Sequence, residues 1–177
     1  LKTISWIFKK GGIVIITLEN KKLGNNIFRL KLKTNSNYNN VKPGQFLHLK
    51  PKRISNDPLL KRPFSIFDFN KKEKSITILY RVVGKGTKQL STLSTGTELD
   101  VLGPLGDGFT VDIEEDNILL IGGGMGIAPL FFLAKKLSSV KKQKDKKAKQ
   151  ITALLGAANK EEINTFMKYY SSLDINL

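Results

Sequence analysis

The 177-residue sequence is 40% hydrophobic, enough for one or two modest cores, and has no apolar run long enough to span a bilayer. It contains no cysteine, which excludes disulfides, a thiol nucleophile and an iron–sulfur cluster held by the chain's own thiolates. Lys and Arg total 30 against 15 Asp and Glu, and a net charge of +15 raises nucleic acid or an acidic surface as a partner. Eight of the lysines fall between Lys135 and Lys149, in a run with no interleaved aromatics and no recognised nucleic-acid motif. That run reads as a solvated loop, so neither a nucleic-acid nor a membrane partner is expected. The opening residues lack the long apolar stretch of a signal peptide, and a cytoplasmic location is the expectation.

In chain order, the first hundred or so residues predict short strands punctuated by turns. Ile13 to Leu18 and Ile27 to Leu32 are joined through the polar stretch from Glu19 to Asn26. In the second strand Phe28, Leu30 and Leu32 alternate with Arg29, Lys31 and Lys33, so one face is buried and the other wet. Further strands at Gln45 to Leu49, Pro63 to Phe67, Ser75 to Val83 and Thr97 to Leu102 are each bounded by Gly, Pro, Asn or Asp. Spacing this regular predicts a small antiparallel β-barrel. His48, the only histidine, lies on one of these strands and reads as a structural or solvent-facing side chain.

Two clusters in the barrel carry chemistry: Leu60 to Ile66 and Leu79 to Thr87. Gly84-Lys85-Gly86-Thr87 opens a short helical stretch predicted over Lys88 to Leu93, where N–H groups, the Thr87 hydroxyl and the helix dipole favour an anion. The planar fork of Arg62 suits the same phosphate, and Ser65 suits the edge of a flat heterocycle. Spacing alone fits equally well a barrel with ordinary surface arginines and a hairpin turn.

After the glycine-rich stretch from Gly103 to Gly108 the pattern becomes strand, helix, strand, helix, which predicts a parallel sheet with covering helices. The strand Asn117 to Ile121 runs through Gly122, Gly123, Gly124, Met125 and Gly126 into a helix whose buried face is Ile127, Leu130, Phe131, Ala134 and Leu137. Pro129 falls in the first helical turn, where its missing N–H costs nothing. The glycines let a diphosphate approach the helix N-terminus. Their spacing is not G-x-G-x-x-G, and no acidic residue is readable as a ribose clamp about 20 residues on, so a tight turn without a ligand remains the alternative. Ile151 to Leu155 is a second strand and Ile175 the start of a third. Asn159 and Glu162 form a capping-box-like pair ahead of a buried stripe of Ile163, Phe166, Met167 and Tyr170. Two βα units are few for such a sheet, and the second domain is expected to be cut short. The expected division is a barrel over 1–108 and an incomplete α/β unit over 109–177.

RPFS at 62–65, LYRVVGKGT at 79–87, GPLGDGF at 103–109 and GGGMGIAPL at 122–130, in this order, resemble the ferredoxin reductase superfamily. They are most similar to the electron transfer subunits of type B dihydroorotate dehydrogenases. The resemblance implies a flavin-binding barrel followed by a pyridine-nucleotide domain. It also implies FAD, NAD as electron donor or acceptor, and a [2Fe-2S] cluster passing electrons to an FMN-containing catalytic subunit in pyrimidine biosynthesis. Carried over by position, the flavin site falls on Arg62, Pro63, Phe64, Ser65, Leu79, Tyr80, Arg81, Gly84, Gly86 and Thr87. In that reading Arg62 holds the diphosphate, Ser65 sits near the reactive ring nitrogen, and the turn from Gly84 to Thr87 caps the second phosphate. Phe64 stands where the wider superfamily has a tyrosine, which removes one hydroxyl contact. Gly122, Gly123, Gly124, Met125 and Gly126 would line the NAD diphosphate side. The resemblance implies no protein acid, base, nucleophile or metal ligand.

The family's further strand-and-loop segment and its cysteine cluster are not found in this sequence. The expectation is a fragment of a longer subunit, with a degenerate copy as the alternative. Rival functions are the flavin subunit of another NAD(P)H-dependent ferredoxin reductase or of a sulfide dehydrogenase type complex, a basic nucleic-acid-binding module, and a scaffold without cofactor.

Overall fold

The computed structural model describes residues 14–24, 26–34, 38, 40–52, 59–111, 114–139 and 150–177. Ile13 and residues 140–149 of the lysine run lie outside them. Period-two alternation dominates the first part, in β1 (Val14–Gly24), β2 (Ile27–Lys33), β3 (Phe46–Pro51), β4 (Arg62–Asn70), β5 (Ser75–Arg81) and β6 (Glu98–Leu105). These six antiparallel strands close a barrel in the order β1-β2-β5-β4-β3-β6, with β6 returning to pair with β1. Inward-facing Leu30, Leu32, Leu49, Ile66, Ile76 and Ile78 are fully buried and fill it.

The polar stretch after Leu18, expected as a turn, is mostly strand. β1 continues to Gly24, pairing Glu19 with Lys31 and Lys21 with Arg29, and Glu19 forms an ion pair with Arg29 at 2.7 Å. Polarity here marks the wet face of a barrel strand rather than a loop. The chain reverses between Gly24 and Ile27, with Asn26 at φ 57°, a left-handed conformation that asparagine tolerates.

The chain then changes period. β7 (Asn117–Gly123) passes through a 3₁₀ turn (Gly124–Gly126) into α2 (Ile127–Ser138), then β8 (Gln150–Gly156) and α3 (Lys160–Tyr170). β7 and β8 pair in parallel from Asn117↔Gln150 to Gly123↔Gly156. The third strand expected at Ile175 appears as a single parallel bridge, in which the Asn176 N–H donates to Ile151 O at 2.8 Å and the Ala153 N–H donates to Asn176 O at 2.9 Å. Leu119, Ile121 and Leu154 point away from the buried Leu120, Ile151 and Ala153 and remain exposed, so one face of this small sheet is open. Among the described residues no helix is long and apolar enough to cross a membrane.

α2 buries more than the expected stripe, because it is gripped from two sides. Phe132 joins the barrel core, whereas Phe131, Ala134 and Leu137 enter a second core. That second core also takes Ile27, Phe67 and Leu79 from barrel strands. At its centre Phe67 stacks on Phe131 with centroids 4.4 Å apart, and Tyr169 meets both rings edge-on. The Tyr170 hydroxyl, raised in pKa by burial, donates to Ile127 O at 2.9 Å. At the rim of the junction Lys135 reaches both oxygens of Asp68, at 2.8 and 2.7 Å. Because this pair is partly solvated, Asp68→Asn is expected to cost only about 0.5–1 kcal/mol, a loss that shrinks as salt rises. Urea unfolding at two ionic strengths checks this, and a large salt-independent loss would contradict it.

Candidate functional site

β4 begins with Arg62, Pro63, Phe64 and Ser65, and β5 ends with Leu79, Tyr80 and Arg81. The two strands are antiparallel neighbours, so the start of one lies beside the end of the other. Phe64 and Tyr80 meet edge to face there, with centroids 5.8 Å apart. The chain leaves β5 into α1 (Lys85–Ser91), which starts three residues earlier than predicted. The cause is Thr87: its Oγ1 accepts from the Val83 N–H at 3.0 Å and the Gly84 N–H at 3.1 Å, and donates to Gly84 O at 3.0 Å. Its hydroxyl therefore builds the turn, and its proton is engaged within it.

Here the barrel, the 3₁₀ turn and α3 enclose a cavity of about 700 Å³. All ten residues expected at a flavin site line it, from Arg62, Pro63, Phe64 and Ser65 through Leu79, Tyr80 and Arg81 to Gly84, Gly86 and Thr87. Gly124 and Met125 line it too. The other three glycines do not. Gly122 and Gly123 border a separate cleft at the ends of β7 and β8, and Gly126 is in the lining of neither. Gly122 answers to packing, since a Cβ there would sit 2.8 Å from the Leu130 side chain. Gly124 answers to backbone conformation, at φ +51°. His48 lies between Pro63 and Leu102 on neighbouring strands and is not in the cavity lining.

Val83 and Lys85, inside the Leu79 to Thr87 cluster but not singled out as site residues, also line the cavity, and sequence reasoning missed Ala128, Ala158 and Glu162. Glu162 matters most. Asn159 does cap α3, accepting from the Glu162 N–H at 3.0 Å, but the Glu162 carboxylate forms an ion pair with Arg81 across the junction. A capping motif accounts for an acidic residue at that position, so no local signal betrayed its second partner. The Glu162 side chain is 2% exposed and that of Arg81 33%. Arg81 Nε is buried and has no hydrogen-bond partner among the described residues.

Among the described residues the lining combines Arg62, Arg81 and Lys85 with one carboxylate, Glu162, and sets them beside apolar walls from Phe64, Leu79, Tyr80, Val83 and Met125. Such a cavity suits a ligand with a flat, apolar part and an anionic part. The Tyr80 hydroxyl is pushed well above its ordinary pKa by burial, against a smaller opposing effect of its bond to Asn20, so it stays a donor.

The FAD-binding domain family matches residues 12–155. The chain belongs to this family. As an FAD-binding domain it resembles the "Dihydroorotate dehydrogenase B (NAD(+)), electron transfer subunit" of Shouchella clausii (strain KSM-K16), 39% identical over 123 residues covering 68% of this chain and 44% of that one. The subunit of the same name from Listeria monocytogenes serovar 1/2a is 49% identical over 100 residues, 55% of this chain and 39% of the relative. The chain thus spans less than half the length of these relatives. Among solved structures, an NADH-dependent reduced ferredoxin-NADP oxidoreductase superposes with a TM-score of 0.71 at 30% identity, covering 87% of this chain and 52% of that one. Phthalate dioxygenase reductase, at 17% identity and a TM-score of 0.68, shares the fold.

The cavity fits the cofactor for which the family is named. Its volume lies within the roughly 300–1,000 Å³ usual for small-molecule and cofactor sites. Gly84 has an extended φ of −168° that any residue adopts, and a Cβ added there would meet nothing within 4 Å. The room at Gly84 and the unpartnered Nε of Arg81 both leave space and a donor for a bound group.

Proposed function

We propose that this chain is the FAD-binding part of an NAD-linked electron transfer subunit of type B dihydroorotate dehydrogenase, acting in pyrimidine biosynthesis. Residues 1–108 form the FAD domain and 109–177 a partial NAD domain. The observation that carries this reading is one cavity lined by every residue expected at the flavin site, in a family named for binding FAD. Arg62, with Lys85 at the mouth, holds the diphosphate, and the backbone from Gly84 to Gly86 packs against it. Phe64 and Tyr80 form the apolar wall for the ring system, and Ser65 offers a hydrogen bond to its edge. Glu162 offsets the charge of Arg81. Gly124 and Met125 approach from the nicotinamide side, with Gly122, Gly123 and Gly126 near the NAD diphosphate.

FAD, when bound, supplies the hydride and single-electron chemistry, and the chain supplies position and electrostatics. No acid, base or nucleophile of the chain is needed. The electron partner is an FMN-containing catalytic subunit. A [2Fe-2S] relay between them needs ligands from outside this cysteine-free sequence.

Titrating the purified chain with FAD, followed by absorbance and flavin fluorescence, tests the reading. Saturable binding is expected, with anaerobic NADH then bleaching the flavin band. Arg62→Ala should weaken FAD about tenfold, as the loss of one charge-assisted phosphate contact predicts, and change riboflavin by less than about twofold. A folded chain that binds no flavin would sink the proposal. A second reading, the flavin subunit of an NADH-dependent ferredoxin-NADP oxidoreductase, is favoured by the 30% identity to that structure. The two part on the subunit that copurifies: an FMN-containing dehydrogenase for the first, a ferredoxin-NADP oxidoreductase partner for the second.

A further inference from the structure

Asn20 lies in the stretch where the sequence predicts a turn, yet it holds three hydrogen bonds beside the cavity. Its Nδ2 donates to Leu90 O at 2.8 Å and to Leu93 O at 3.3 Å, and its Oδ1 accepts from the Tyr80 hydroxyl at 3.0 Å. Two carbonyls can only accept, so the amide nitrogen faces them and the oxygen is left for the tyrosine. Tyr80 is a wall of the cavity, stacked on Phe28 at 5.5 Å and touched edge-on by Phe64. Leu90 belongs to α1 and Leu93 lies just past its end, and the first residues of that helix, Lys85, Gly86 and Thr87, line the same cavity.

A seven-residue helix has little stability of its own, and its last carbonyls need partners. Asn20 supplies two donors at that end. A buried tyrosine hydroxyl needs an acceptor, and the same amide supplies it. We infer that Asn20 is a positioning residue that ties Tyr80 and the Gly84–Thr87 turn to β1, presenting the aromatic wall and the anion-facing turn in one register. This deepens the FAD reading and rests on it. No other short side chain performs both tasks: aspartate lacks the donors, and leucine fills the space with no polar atom.

The test separates the two arms. Asn20→Asp keeps an acceptor for Tyr80 and removes both donors to α1, whereas Tyr80→Phe removes only the other arm. Dissociation constants for FAD, riboflavin and ADP are measured on each purified chain. Amide exchange is measured at Lys88, whose N–H donates to Gly84 O at 2.9 Å, and at Ile78 in the barrel core. Asn20→Asp is expected to weaken FAD and ADP about tenfold, to leave riboflavin within about twofold, and to speed exchange at Lys88 but not at Ile78. Tyr80→Phe is expected to weaken riboflavin and FAD and to leave ADP binding and Lys88 exchange unchanged. Unaltered FAD affinity and Lys88 exchange in a folded Asn20→Asp chain would overturn the inference. So would exchange rising equally at Lys88 and Ile78, which marks global loosening. If Asn20→Asp does not fold, Tyr80→Phe decides, and a change in its ADP binding equal to its change in riboflavin would overturn the separation of arms. Should the parent chain bind neither FAD nor riboflavin, the FAD reading fails, while exchange at Lys88 still reports whether Asn20 seats the turn.

Discussion

Replacing Phe131 by alanine is expected to lower stability by about 3–5 kcal/mol, the usual cost of removing a buried aromatic ring and leaving a void. Phe131 is buried, stacks on Phe67 of the barrel, and meets Tyr169 and Tyr170 edge-on. It therefore joins the barrel to α3 through one ring cluster. Neighbouring rings cannot collapse into the gap without pulling α2 off β4, so little of the loss is recovered by relaxation. Chemical unfolding followed by circular dichroism and by the fluorescence of the tyrosines measures it. A loss below about 1 kcal/mol would mean that the barrel and the α/β unit do not depend on this junction.

Glu162→Ala is the second large effect. Breaking a fully buried ion pair by removing one partner typically costs about 3–5 kcal/mol, because the other charge is left uncompensated. Glu162 is buried but Arg81 is a third exposed, and water reaching the guanidinium lowers the expected cost to about 1–3 kcal/mol. The discriminating measurement is a four-corner cycle with Arg81→Met. If the carboxylate acts mainly by compensating Arg81, the double variant is more stable than the sum of the two single losses predicts. Simple additivity would show that the two side chains do not interact in solution. FAD affinity measured on the same four proteins reads the functional side. Glu162→Ala should shift it, and the shift should vanish in the Arg81→Met background.

Much of the barrel was legible because its signal is local. The alternation of Leu30 and Leu32 with Lys31 and Lys33 reports one wet and one dry face within a single strand. The error at Glu19 to Asn26 has the same origin. A strand whose outer face is charged and whose inner face carries Asn20 shows no apolar alternation, so composition points to a turn. Asn20 is polar inside because it answers Tyr80 and the end of α1, residues some 60 and 70 positions away. The stripe on α2 was likewise right in position and too narrow, since period alone reveals one buried face and not that a second surface covers another.

The candidate site divides along the same line. The site residues of RPFS and LYRVVGKGT converge on one cavity, because adjacent antiparallel strands bring the start of β4 to the end of β5, whereas no residue of GPLGDGF lines it. The glycine cluster separates instead: Gly122 serves close packing, Gly124 a left-handed turn beside the cavity, and Gly126 lines neither space. A run of glycines states that backbone must pass through a narrow or unusual place, but not what crowds it.

By itself the sequence determined the strand and helix types, the closure of a small barrel and, through four ordered motifs, the family. The elements depend on side-chain period, cap and turn chemistry acting over a few residues, and the family on the resemblance of those motifs. Only the tertiary structure decided that Glu162 faces Arg81, 81 positions away, that Asn20 holds Tyr80, and that Ile27, Phe67 and Leu79 form a core with α2 and α3. Ion pairs, buried amides and a shared apolar junction are contacts between surfaces, and their partners exist only once the barrel has closed and the α/β unit has packed against it.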